Sequence, residues 1–295
     1  MNILILTANN NRHKYFVCKI INQFDDDKIS VLIEPKKNPK SISNYRLIRL
    51  LKRFIRSKKK FFFLKRNFLN LLFFKYIKKI ENEKKNTEHF YFKNLSNSEL
   101  LKLQTMTLDC VDQGKSINDE KYVNLIKGLN PDIIVVMGTS LIKEEIIKIP
   151  KLGILNMHTG LSPYFRGGKT NFWPFIYNDL GACGVTVHKL DLGIDSGDII
   201  SHGLPEITQE DTYSSINCKA IILGTSLMIN AIGRLKEGNL KSVQQWNNTN
   251  CRLFFNDDFN GYHAFKYIKN HKKIISNFIR NKKYPEKLLI NNNDN

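Results

Sequence analysis

Asn2-Ile-Leu-Ile-Leu-Thr7 is an uninterrupted apolar run, with the polar turn Asn9-Asn10-Asn11-Arg12 directly behind it. A short run without alternation is the pattern of a strand buried on both faces, as in a parallel sheet. Residues 13–24 then read as a helix and 30–34 as a second strand. Strand, helix, strand in that order predicts an α/β fold with a parallel sheet. The alternation resumes further along, with helices expected at 116–128, 141–149 and 171–178 and strands at 132–137, 153–157, 184–190 and 198–202. A long helix is expected over 212–235, ending before Gly238. This divides the chain into a main domain, 1–238, and a small polar extension, 239–295, with one strand at 252–255 and a disordered Asn-rich tail from Asn291.

The main domain is interrupted by an insertion at about 42–92. Leu47, Ile48, Leu51, Phe54 and Ile55 recur at helical spacing, with Arg46, Arg49, Lys52, Arg53 and Arg56 between them. The spacing predicts two basic, Phe-rich amphipathic helices over 42–80. From Lys36 to Lys85 eighteen Lys and Arg face two acids, Glu81 and Glu83, so this segment holds +16 of the chain's +19. The rest is almost neutral, which argues against a general nucleic-acid surface. Three readings of the insertion follow in order of weight: cover for a sheet edge or a homodimer surface, peripheral membrane contact through 42–80, and nucleic acid last. A Lys-, Asn- and Ile-rich composition throughout also raises the Lys count without any function.

The opening residues lack the basic start and long apolar core of a signal peptide. No run reaches the ~18 uncharged apolar residues of a membrane span. A cytoplasmic location is the expectation, peripheral at the membrane if the insertion docks there. The five cysteines (Cys18, Cys110, Cys183, Cys218, Cys251) are odd in number, widely spaced and without a Cys-x-x-Cys pair. They read as reduced thiols rather than disulfides or a zinc site. The seven His form no metal-ligand cluster, so no metal is expected.

The chemistry sits in two stretches. The first is Gly153-Ile-Leu-Asn-Met-His-Thr-Gly-Leu-Ser-Pro-Tyr-Phe-Arg-Gly-Gly168. Asn156 and His158, two apart at a strand end, point to the same side. Ligands in open α/β sheets bind at the carboxyl ends of strands. An amide there can donate to an oxyanion while an imidazole handles protons. The second stretch is His188-Lys-Leu-Asp-Leu-Gly-Ile-Asp-Ser-Gly-Asp-Ile200, where Asp191, Asp195 and Asp198 lie in a Gly-containing turn. A carboxylate from that turn can orient His158. Either stretch alone reads equally as an ordinary turn with solvated acids; the pair is far more specific. Arg12, His13 and Lys14 at the first helix N-terminus, and Arg166, are candidates for an anionic substrate, although a solvated basic turn explains the first three as well. Phe172 and Trp173 read as core. Gly168-Lys169-Thr170 is no phosphate loop, because the required earlier glycine is Pro163. No Gly-x-Gly-x-x-Gly follows the first strand, and Ser162 sits in no nucleophile elbow.

The pair Asn-x-His-x-x-x-x-Pro-x-x-x-Gly and His-x-x-Asp-x-Gly-x-Asp-x-Gly-Asp-Ile resembles the folate-dependent formyltransferases. These act on glycinamide ribonucleotide, initiator methionyl-tRNA and nucleotide-linked amino sugars. The likeness covers 131–238 well and the opening strand and helix more loosely. It implies a Rossmann-like, mostly parallel sheet with helices on both faces, plus the basic helical insertion and the small C-terminal extension. It also implies N10-formyltetrahydrofolate as co-substrate and direct transfer to a primary amine. The family's catalytic residues fall on Asn156, His158 and Asp195, with a protonated His158 expected. Its folate pocket falls on Met137, Gly138, Ser140 and Leu141 and on Asp191 and Gly193. The insertion has no counterpart in the minimal family domain.

Among acceptors, a methionyl-tRNA enzyme should carry a substantial basic C-terminal domain, which 239–295 does not resemble. The glycinamide ribonucleotide enzyme is usually a bare catalytic domain. The resemblance therefore leans to a nucleotide-linked amino sugar for surface polysaccharide. A non-catalytic binding module that kept the fold is the alternative of a different class; the intact trio Asn156, His158 and Asp195 argues against it.

Overall fold

Strand alternation organises the core. In β1 (Asn2–Thr7) Ile3 and Ile5 face one side of the sheet and Leu4 and Leu6 the other, and all four are fully buried. Each such side chain is worth about 1.5–3 kcal/mol over its exposed state. The computed structural model describes residues 1–35, 60–247 and 250–289. The expected helix around Leu47–Ile55 and the tail from Asn291 lie outside these residues.

β1 pairs in parallel with β2 (Lys28–Ile33) and with β4 (Ile133–Met137). With β3 (Thr107–Cys110), β5 (Ile154–His158), β7 (Val185–Lys189) and β8 (Ile199–Gly203) they form a seven-stranded sheet in the order β3-β2-β1-β4-β5-β7-β8. The first five strands in the chain run parallel; β7 runs antiparallel to them, and the edge strand β8, antiparallel to β7, runs with the rest. On one face, α1 (Asn11–Gln23) and α8 (Tyr213–Lys236) bring Phe16, Ile20, Met228 and Ile232 onto Ile3, Ile5, Ile133 and Val135. On the other, α5 (Glu120–Leu129) and the short α6 (Glu144–Ile147) bring Tyr122, Ile126 and Ile146 onto Leu4, Leu6, Ile134 and Val136. The mostly parallel sheet with helices on both faces is therefore as expected. Among the described residues α8 alone is long and apolar enough to cross a membrane, but 56% of that window is buried inside the protein. All five cysteines are free thiols.

The insertion differs from the expectation in its limits. Its described helices are α2 (Lys60–Leu72) and α3 (Phe74–Phe92). α4 (Asn97–Met106), which the periodicity did not suggest, starts at a capping box in which Ser96 and Glu99 bond each other's backbone N–H. It leads directly into β3, also unanticipated, which closes the far edge of the sheet. Helices expected at 116–128 and 141–149 shrink to α5 and α6.

The extension is the larger correction. Beyond the expected strand, now β9 (Arg252–Phe254), it holds a 21-residue helix, α9 (Gly261–Asn281), capped by the Asn260 side chain. β9 pairs in parallel with β6 (Phe165–Gly167), and α9 packs against α2, α3 and the short α7 (Trp173–Tyr177). A second core results, in which Ile80 of the insertion and Phe254, Tyr267 and Ile275 of the extension enclose Phe165, Phe172 and Trp173. Phe172 and Trp173 are core residues, as read; the indole stacks on Phe254 with ring centroids 4.2 Å apart.

Candidate active site

β5 ends inside a cleft of about 400 Å³. Asn156 and His158 share one face of the strand, and both line the cleft together with Asp195. Asp195 reaches them because β7 runs antiparallel beside β5 and the turn after β7 folds back over the strand end. The chain holds Asp195 in the left-handed region, φ 47°. The Gln245 side-chain amide donates to the carbonyl oxygens of both Asp195 (2.7 Å) and Gly197 (2.8 Å), which braces that turn.

One carboxylate oxygen of Asp195 lies 3.2 Å from His158 Nδ1 and accepts from the Gly167 N–H at 2.9 Å. The other lies 3.7 Å from His188 Nε2 and 3.5 Å from Asn156 Nδ2. Burial alone would raise this carboxyl, but the two imidazoles and the Gly167 N–H outweigh it and hold Asp195 well below the ordinary carboxylate range. His158 is nearly enclosed, and its Nε2 faces the Phe165 carbonyl oxygen at 3.2 Å. Both ring nitrogens thus face acceptors, an arrangement that suits two protons. Burial nevertheless pushes the pKa of His158 below its ordinary value, against the pull of Asp195. Burial thus opposes the protonated ring that the resemblance implies, whereas Asp195 and the Phe165 carbonyl oxygen favour it.

His188 was missing from the expected site. It stands directly across from Asn156 in the β5–β7 register. Its Nδ1–H donates to the Lys189 carbonyl oxygen at 2.6 Å, which leaves Nε2 as an acceptor for Asn156 Nδ2 at 3.0 Å. That bond fixes which way the Asn156 amide points and occupies one of its two N–H groups. The second is only loosely engaged, at 3.5 Å from Asp195. The signal was present in the sequence, since a histidine opens the second motif, but only strand pairing places it opposite Asn156.

The segments expected to hold folate do line the cleft: Met137, Gly138, Ser140 and Leu141 on one side, Asp191 and Gly193 on the other. Glu34, also overlooked, anchors the first of them by accepting from Ser140 N (2.6 Å) and Oγ (2.8 Å). Asp191 shapes its own turn, accepting from Gly193 N and Ser196 Oγ. Gly138 has φ +77°, and a Cβ there would come within 2.5 Å of His13 Nε2, so the wall is glycine-tight at this point. These strand-end backbone groups, set among apolar Val136, Leu141 and Ile142, fit a flat heteroaromatic ring with polar edges. Phe254, Phe255 and Asn256 of the extension close the cleft, a contribution unforeseen from sequence.

The four anion candidates separate. Arg12 and His13 line the cleft, whereas Lys14 and Arg166 do not. Arg12 is paired with Glu88 of α3 at 2.9 Å, so its charge is already partly compensated by the insertion.

A family model described as formyl transferase matches residues 77–232, more than half of the chain. A methionyl-tRNA formyltransferase from Thermodesulfovibrio yellowstonii is 31% identical over 147 residues, 50% of this chain and 47% of that protein. The chain thus spans about half the length of the curated relatives it matches. A solved sugar N-formyltransferase from a Shewanella species superposes with TM-score 0.52 at 14% identity, covering 88% of this chain and 78% of that one. An N-formyltransferase from Helicobacter canadensis, solved with folinic acid and dTDP-3-aminofucose, superposes with TM-score 0.50 at 17% identity, covering 97% and 84%. At these identities the two structures speak for the fold, and the family model speaks for the lineage: this chain belongs to the formyl transferase family.

Proposed function

We propose that the protein transfers a formyl group from N10-formyltetrahydrofolate to the primary amine of a nucleotide-linked amino sugar, with Asn156, His158 and Asp195 as its catalytic residues. The observation that carries the reading is the convergence of these three side chains at the end of β5, inside one cleft. The donor, when bound, supplies a formyl carbonyl whose carbon is open to attack by an amine. Asn156, oriented by His188, offers its loosely held N–H to the carbonyl oxygen as that oxygen gains charge. Burial disfavours the charged form of His158, which leaves the ring to accept the proton that the attacking amine must shed. The ionised Asp195 stabilises the imidazolium so formed and holds the ring in place, and the same proton is then available to the departing nitrogen. The wall segments Met137–Leu141 and Asp191–Gly193 would hold the folate ring.

The sugar acceptor is supported by the extension. Instead of standing apart, it folds back so that Phe254, Phe255 and Asn256 wall the cleft, which suits a small molecule better than a tRNA arm. The test is a transfer assay with N10-formyltetrahydrofolate against nucleotide-linked amino sugars, glycinamide ribonucleotide and methionyl-tRNA, run also with His158→Ala. Turnover with a sugar, abolished by the substitution, is expected. Turnover with methionyl-tRNA or the ribonucleotide alone overturns the acceptor; folate binding without any turnover overturns the enzyme reading in favour of a binding module.

A further inference from the structure

α2 has two faces, one held against the protein and one an exposed apolar stripe. The first faces inward: Asn70 Oδ1 accepts from Gly261 N at 2.8 Å, Arg66 pairs with Asp257 at 2.5 Å, and Phe73 beyond the helix end stacks on Phe265 of α9, centroids 5.1 Å apart. The second consists of Leu64, Phe68, Leu71 and Leu72, spaced four, three and one residues apart, and is continued by Phe74. These five are between 54% and 79% exposed, and no other described element covers them. Contiguous apolar side chains of this size mark a contact surface.

Charge identifies the occupant. Lys65, Lys75, Lys78 and Lys79 flank the stripe and are exposed, and residues 60–80 contain neither Asp nor Glu. A second copy of the same face would set cation against cation. Residues 36–59 carry Lys and Arg but no acid, so they offer no counter-charge either. Nucleic acid matches the charge and leaves five apolar side chains in water. An anionic lipid surface takes both, the rings and Leu side chains entering the headgroup boundary and the lysines meeting the phosphates.

We propose that the exposed face of α2 and the start of α3 docks on an anionic bilayer surface. This holds the protein at a membrane with the β5 cleft outside the contact, and it stands independently of the acceptor.

Vesicle flotation tests it, with phosphatidylcholine alone and with added phosphatidylglycerol. The whole protein should float with the anionic vesicles only, and binding should weaken roughly tenfold as salt rises from about 50 mM to about 500 mM. Phe68→Glu with Leu71→Glu should lower vesicle binding at least roughly tenfold with the circular dichroism spectrum unchanged. Lys75→Glu with Lys78→Glu, which leaves the apolar stripe intact, should weaken binding in the same direction. Equal flotation on neutral vesicles, or unchanged binding by the Phe68/Leu71 variant, overturns the proposal. So does a wild-type dimer that those substitutions dissociate, or tRNA binding that they leave intact while vesicles are ignored.

Discussion

Acid should weaken this fold through one histidine that takes no part in the chemistry. His202 on β8 is buried; its Nε2–H donates to the Ser162 carbonyl oxygen at 2.8 Å, and its Nδ1 accepts from Leu289 N–H at 2.9 Å. A single neutral tautomer satisfies both bonds. Protonation puts a hydrogen on Nδ1 against a donor, and burial pushes the pKa down to about 4. The unfolded chain, with an ordinary pKa of about 6.5, then binds the proton more readily than the folded one. Stability is therefore complete above about pH 6.5 and falls as the pH drops towards 4. With these two pKa values the loss between about pH 8 and about pH 4.5 is about 2 to 3 kcal/mol. Burial lowers His158 as well, so the quantity to measure is the difference between the wild type and His202→Gln, which offers a donor and an acceptor without a titrating proton. Urea denaturation at the two pH values measures it. If both proteins lose the same stability on acidification, within about 0.5 kcal/mol, the buried neutral His202 is the wrong account.

Further perturbations bear on the proposed mechanism. Asn156→Ala should lower kcat by about 10²–10³ with little change in the donor KM, as read by steady-state kinetics; an equal rise in KM instead would mean that the amide only binds. Asp195→Asn removes the charge that most raises the His158 pKa, leaving only the Phe165 carbonyl oxygen to oppose burial. The acidic limb of kcat/KM should then move to lower pH while the rate falls by about 10²–10⁴, and an unmoved limb counts against His158 as the titrating group. Gln245→Ala frees the carbonyls of Asp195 and Gly197 and should reduce kcat roughly tenfold, leaving donor affinity near its wild-type value. A wild-type kcat would show that the turn holds Asp195 without this brace.

The sheet was legible because its strands are short and uninterrupted: 2–7 and 132–137 have no other reading in an α/β chain of this length. Asn156 and His158 were legible for the same reason, since period two on a strand fixes their common side. His188, Glu34 and Gln245 were not. Each acts through a partner 32 to 106 residues away in the chain, and only strand order and the folded-back turn bring such pairs together. α9 was missed for a different cause. Ala264, Tyr267 and Ile275 keep a helical face, but Lys, Asn and His between them dilute it, and the stretch reads as polar. The face becomes evident once Trp173 and Phe172 are seen to need a cover. His158 shows that a motif names a residue without its protonation state, which depends on how completely the surrounding loop encloses the ring.

The second core ties the extension to the stretch that the family shares. That stretch, 77–232, begins inside α3 and includes Ile80; its Phe165, Phe172 and Trp173 are covered by Ile80 from within it and by Phe254, Tyr267 and Ile275 from downstream. A chimaera that imported this stretch without the extension would leave an aromatic seam open to solvent. Over evolutionary exchange, and in any grafting of acceptor specificity from a relative, the extension must therefore travel with that stretch.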